Sequence, residues 1–195
     1  MTDLDSLTAI ISAEEGTYVV DPVHSGVHFV ARHLIGSKVR GTFKEFTGTI
    51  TIADPLDSSF MEGVAQVASI DTGQEAARRA PQVGGLLRSG EAPDDLLVSN
   101  GMTRISDTEW KMSSNLTVRG VTKPVTWDLE YLGSGLGIEA DSTVAAFSAT
   151  AEIDRRDFEV SFNHTLADMS LVVGNKVRLE VDVEARLETV KAVSL

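Results

Sequence analysis

The chain has 195 residues, 42% apolar and 24% charged, with no cysteine and a formal net charge of −12. That length suits one domain with its own core, and the missing cysteines exclude disulfides and thiolate chemistry. The acidic balance disfavours nucleic acid, whose phosphates are bound by Lys and Arg, and opposes broad adhesion to anionic lipid.

Residues 1–16 carry Asp3, Asp5, Glu14 and Glu15 and only a short apolar run from Leu7 to Ile11. A secretory leader needs a basic start and a longer apolar stretch. The expectation is therefore a cytoplasmic protein whose first 16 residues are a lead-in, partly disordered or a short helix. No run of 18 apolar residues occurs, so no membrane-spanning helix is expected.

Strand signals then follow one another. Thr17 to Val20 opens. After Asp21-Pro22, Val27, Phe29, Ala31 and His33 share one face, and Ile35-Gly36 turns the chain. Val39, Gly41 and Phe43 lie on one face, and Phe46, Gly48, Ile50 and Ile52 continue with the parity flipped. A flip inside one strand predicts a bulge near Lys44-Glu45. Val64 to Ile70 reads as a strand. From Thr72 to Pro93 strand character is lost: Gln74 to Arg79 favours a short helix, and Pro81, Gly84-Gly85, Gly90 and Pro93 leave the rest irregular.

Trp110, Met112, Ser114, Leu116 and Val118 alternate with polar residues, and Arg119-Gly120 reads as a tight turn into Val125, Trp127, Leu129 and Tyr131. Ser142 to Ile153 is β-prone and rich in small residues, among them Ala145, Ala149 and Ala151. Leu166 to Val173 and Asn175 to Leu187 finish the chain, and Val177 to Leu187 alternates apolar with charged throughout. Residues 188–195 read as a tail. Roughly eight strands at hairpin spacing fit a sandwich or an up-and-down barrel, and small inward residues favour a barrel with a cavity.

Catalytic patterns are weak. His24 and His28 would lie about 13 Å apart along a strand at ~3.3 Å per residue, too far to share a metal. Asp21, His24 and Ser25 contain triad residue types, but they crowd one Pro-marked turn and no G-x-S-x-G elbow accompanies them. Asp21 and Ser25 are better explained as hydrogen bonding to backbone. No phosphate loop is present.

Several blocks resemble the YceI-like family in the right order. Asp21, His24-Ser25, Val27, Phe29 and His33, then Val39, Gly41, Phe43, Phe46, Gly48 and Ile50, look like its opening D-x-x-H-S-x-V-x-F-x-x-x-H and V-x-G-x-F-x-x-F-x-G-x-I. Ser69 to Thr72 resembles S-I-x-T, and Leu116 to Val125 resembles the hairpin L-T-(I/V)-x-G-V-T-x-P-V. Phe147, Ala149, Ile153, Arg155, Asp157 and Phe158 resemble A-x-x-x-I-x-R-x-D-F. Val173 to Val177 with Glu184-Ala185 resembles the last strand pair. The resemblance covers residues 17–187. Between Arg78 and Asp94 the family's R-D-x-H-L, aromatic pair and Y-P are replaced, and Glu159 stands where a glycine is common.

The resemblance implies an all-β, antiparallel up-and-down, lipocalin-like barrel of about eight strands, with a short helical excursion after residues 64–70. It implies an apolar tunnel that binds a polyisoprenoid lipid, such as an isoprenoid quinone or prenyl phosphate, without catalysis and with no cofactor or metal. A homodimer is the associated expectation. In such a tunnel Phe29, Phe43, Met112, Trp127, Phe147, Phe158, Phe162 and Leu171 are candidate walls. His33, Arg155, Asn163 and His164 are candidate head-group contacts, though a histidine bonded to backbone and an Arg155–Asp157 ion pair holding the corner explain two of them without a ligand. Two other readings remain: a filled barrel acting as a protein-interaction module, or an enzyme on a bound lipid with polar residues clustered around His33 or His164.

Overall fold

The computed structural model describes residues 13–33, 36–73, 94–138, 142–160 and 173–188. Eleven strands form one antiparallel sheet: β1 (Gly16–Val20), β2 (Gly26–His33), β3 (Ser37–Phe43), β4 (Phe46–Ile52), β5 (Phe60–Ala65), β6 (Ile70–Asp71), β7 (Asp95–Arg104), β8 (Glu109–Val118), β9 (Val121–Leu136), β10 (Thr143–Asp154) and β11 (Val173–Leu187). Three pairs are single strands interrupted by a corner. β1 and β2 both lie along β11, β3 follows β2 while β4 follows β1, and β5 and β6 pair with β4 and β3. Counted this way the ring has eight members, and pairing of β1 with β11 closes it. The expected up-and-down barrel is the observed fold.

Inward parity switches at each corner. Tyr18 is fully buried on β1, whereas Val27 and Phe29 face Val181 and Leu179 on β2. Phe43 is inward on β3 and Ile50 on β4, so the flip expected at Lys44-Glu45 is present. Ser69 fixes this corner: its hydroxyl accepts from the Lys44 and Glu45 amides and donates to the Gln66 carbonyl. For the same reason the single strand expected over Val64 to Ile70 is corrected. It breaks into the end of β5, a 3₁₀ turn at Val67–Ser69 and the two-residue β6.

The other wall is regular. Trp110, Met112, Ser114 and Leu116 on β8 and Val125, Trp127 and Leu129 on β9 are buried, with exposed residues between them. Arg119 (φ 52°) and Gly120 (φ 83°) make the two-residue hairpin between them, with the positive dihedrals that match strand twist. Ala145, Ala149 and Ala151 face inward on β10 opposite Ala185, Val181 and Leu179. β7, with Ser99 buried and Leu97 inward, was not legible as a strand. Its polar middle, Ser99-Asn100-Gly101, holds a bulge that breaks the alternation. The expected helical excursion falls on 74–93, and most of the expected strand Leu166 to Val173 on 166–172, both outside the described residues. Among the described residues no helix is long and apolar enough to cross a membrane.

Candidate functional site

Among the described residues, two cavities lie in tandem along the bore. One, of about 430 Å³, occupies the end of the barrel at the C-terminal part of β4 and the hairpin of β7 and β8, with Ile52, Met102, Trp110 and Tyr131 among its walls. Its volume lies within the ~300–1,000 Å³ range of ligand pockets. The other, of about 160 Å³, lies deeper and is walled by Phe43, Met112, Trp127, Ala149, Leu179 and Val181 among others. It is close to the ~150 Å³ that accommodates one benzene-sized group in an apolar core. Ile50, Met61, Leu129 and Phe147 border both, forming the waist between them.

The space has a sequence origin. Gly48 and Gly63 face each other across β4 and β5 and line the deeper chamber without side chains. A Cβ on Gly63 would meet only the Thr47 carbonyl, at 3.4 Å. Small alanines on β10 leave room opposite. The glycine pair was not singled out from the sequence, and its inward parity after the bulge was the available signal.

Four of the expected wall residues, Phe43, Met112, Trp127 and Phe147, line the cavities. Phe29 and Phe158 do not border either chamber. Phe29 spreads its ring over Gly41, where a Cβ would sit 2.1 Å from Cζ, and meets Phe43 edge-on. Phe158, 2% exposed, packs into the main core cluster at the foot of β10. Phe162, Leu171, Asn163 and His164 lie outside the described residues.

His33, at the end of β2, is half-buried. The Ser37 hydroxyl donates to its carbonyl and lies 3.4 Å from its ring Nδ1. Arg155 is buried at 4% exposure and its guanidinium donates to the carbonyls of Val160, Gly174 and Val173 and to Asn175 Oδ1. Burial lowers its pKa. Its described partners tie the 3₁₀ turn at Arg155–Phe158 to the start of β11, and Asp157 is exposed.

Asp21, His24 and Ser25 form a clamp at the β1–β2 corner. The Asp21 carboxylate accepts from the Val23 amide (2.9 Å) and from Arg186 (2.6 Å), and meets His24 Nδ1 at 3.0 Å. These bonds, the histidine's first, hold its pKa well below the usual carboxylate range, and Asp21 in turn raises that of His24. Ser25 Oγ accepts from the Glu184 amide and donates to its carbonyl. Asp21, His24 and Glu184 place ligand atoms within 4.8 Å of one another. Arg186 on the same carboxylate makes the cluster an ion-paired latch to β11.

The polar groups at the two chambers differ. Arg104 borders the larger one, but it is paired with Asp107 at 2.7 Å, donates to the Ser106 carbonyl and stacks 5.8 Å from the Trp110 ring centroid. The deeper chamber has Asp95 in its wall, an acidic residue not singled out from the sequence.

An eight-stranded antiparallel barrel with chambers along its axis belongs to the lipocalin-like class of architecture. Within that class the chain belongs to the YceI-like family, whose domain model matches residues 18–185. A UPF0312 protein of Staphylococcus aureus is 27% identical over 169 residues, covering 86% of this chain and 95% of the relative. Among solved structures, BcnA of Burkholderia cenocepacia superposes with a TM-score of 0.67 at 19% identity, covering 85% of this chain and 98% of that one. A YCEI protein of Campylobacter jejuni gives 0.66 at 24%, covering 81% and 90%. A structure described as a polyisoprenoid-binding domain from Saccharophagus degradans gives 0.61 at 15%, covering 90% and 100%.

Proposed function

We propose that this barrel is a non-catalytic carrier or sequestering protein for an apolar lipid of the isoprenoid class. The observation that carries the reading is the pair of chambers set end to end inside the barrel, the smaller walled almost entirely by hydrocarbon and the larger carrying Arg104 and Asp107 among its apolar walls. The polyisoprenoid-binding description of the Saccharophagus degradans domain supports the same class.

The energetics fit a carrier. Burial contributes ~0.8 kcal/mol per carbon, so one five-carbon unit offers roughly 4 kcal/mol before costs. Chain ordering and loss of free motion offset much of that. A bilayer is as apolar as the bore, so burial alone hardly separates the two homes. Shape and head-group contacts must supply the selectivity.

Filling the deeper chamber tests the reading. Gly63→Leu and Ala149→Trp each project a large side chain from its wall. Uptake of geranylgeraniol by the folded variants is expected to fall at least about tenfold, the loss of ~1.4 kcal/mol or more of burial. Unchanged uptake by both, with circular dichroism confirming the barrel, would contradict occupation of the bore.

A further inference from the structure

Asp95 opens β7 opposite Ala65 of β5 and shares its inward face with Leu97. The Arg119 main-chain amide bonds its carboxylate, and burial pushes its pKa up to about 6. Its Oδ1 is shut off from solvent and has no hydrogen-bond partner among the described residues. A buried oxygen left unpaired destabilises a fold, and native proteins rarely keep one without a use. Here the carboxyl stands in the wall of the deeper chamber, whose surface is otherwise mostly hydrocarbon.

Building on the lipid reading above, we propose that Asp95 is the head-group anchor of the bore, selecting an uncharged hydroxyl or carbonyl oxygen and rejecting a phosphate. No Lys or Arg is among the described residues that wall this chamber. The other titratable residues bordering it are Glu62 and His28. Glu62 is exposed and bonded by Thr49, and His28 is held by Thr42 at 2.9 Å. Asp94 adds negative charge beside Asp95. A phosphate, with about −1.5 to −2 charges, would leave water to sit beside a carboxylate with no cation among the described wall residues to offset either. A hydroxyl satisfies Asp95 in both protonation states: it accepts from the acid and donates to the carboxylate. A carbonyl, which only accepts, satisfies Asp95 in its acid form alone. Arg104, the cation at the other chamber, is committed to Asp107 and Ser106.

The test is binding of geranylgeraniol and of geranylgeranyl monophosphate to the wild type, Asp95→Asn and Asp95→Leu. The wild type should hold the alcohol at least about tenfold more tightly than the phosphate, since an unpaired buried charge costs more than a hydrogen bond gains. Asp95→Leu should weaken the alcohol about five- to tenfold and narrow the preference, while Asp95→Asn, which keeps a donor and an acceptor, stays within about threefold for the alcohol. Phosphate bound as tightly as alcohol by the wild type would overturn the anchor and leave the lipid reading standing. So would an alcohol affinity unchanged in Asp95→Leu. Failure of the folded wild type to bind either lipid would overturn both.

Discussion

The two walls of this barrel are built differently. β8 to β11 are strands of 10 to 16 residues without a corner. They bury Trp110, Met112 and Trp127 in a continuous core. β1 to β6 form three strands, each broken at a corner: Asp21 to Ser25, Lys44-Glu45 and Gln66 to Ser69. The corners flip the inward parity and bring Gly48 and Gly63 to the lumen. The regular wall supplies packing and the broken wall supplies space. A closed barrel of eight uninterrupted strands would have an interior just wide enough for its own side chains to fill. Three of the eight members of this ring depart from that plan where the chambers lie.

Breaking the corners is the way to test this division of labour. Asp21→Ala should have the largest effect. It strips Arg186, His24 and the Val23 amide of their shared acceptor at once. Loss of a buried, charge-assisted set costs about 3 kcal/mol, or roughly 6–12 °C in a domain of this size. The pH profile carries the same signature. Asp21 has a depressed pKa, so its contribution is present above the ordinary 3.8 and is lost as pH falls through its folded value. His24 is raised, so its contribution is complete below the ordinary 6.5 and fades as pH rises through its folded value. Asp95 is raised to about 6, so stability increases as pH falls from above 6 towards 3.8. Together these groups place the maximum of melting temperature between about pH 4 and 6, and a melting series in Asp21→Ala should lose the acid limb. A maximum above pH 7 in the wild type would show that the clamp and Asp95 do not govern the profile.

Ser69→Ala sharpens the comparison at a smaller scale. The hydroxyl makes three bonds at an exposed corner, so its removal should cost about 1 kcal/mol, some 2–4 °C. The same change at Ser113, an exposed residue of the regular β8, should stay within about 0.5 kcal/mol. Equal losses at the two sites would remove the distinction between the walls.

The regular wall was legible because one face of each strand is wet and the other dry, which writes a period of two into β8, β9 and β11. The β3–β4 corner was legible too, since Phe43 and Phe46 cannot both point inward on one uninterrupted strand. Ser69 hid the third corner, because a side chain that bonds backbone on another strand leaves no periodic trace. β7 was hidden by its bulge and by Asp95, a carboxylate at an inward position where alternation demands hydrocarbon. Parity placed some of the candidate wall residues and not others. Phe43, Met112, Trp127 and Phe147 reach the chambers, whereas Phe29 covers Gly41 and Phe158 fills the core. Parity tells which side a residue faces, and only packing tells whether it meets a void or a neighbour.

The most direct measurement is mass spectrometry of an organic extract from the purified protein, alongside the same extract from Gly63→Leu. Recovery of a prenyl lipid from the wild type in near-stoichiometric amount, and its loss from the blocked variant, is the predicted result. Repeated recovery of wild type free of any lipid, or equal lipid from both proteins, would contradict a guest in the bore.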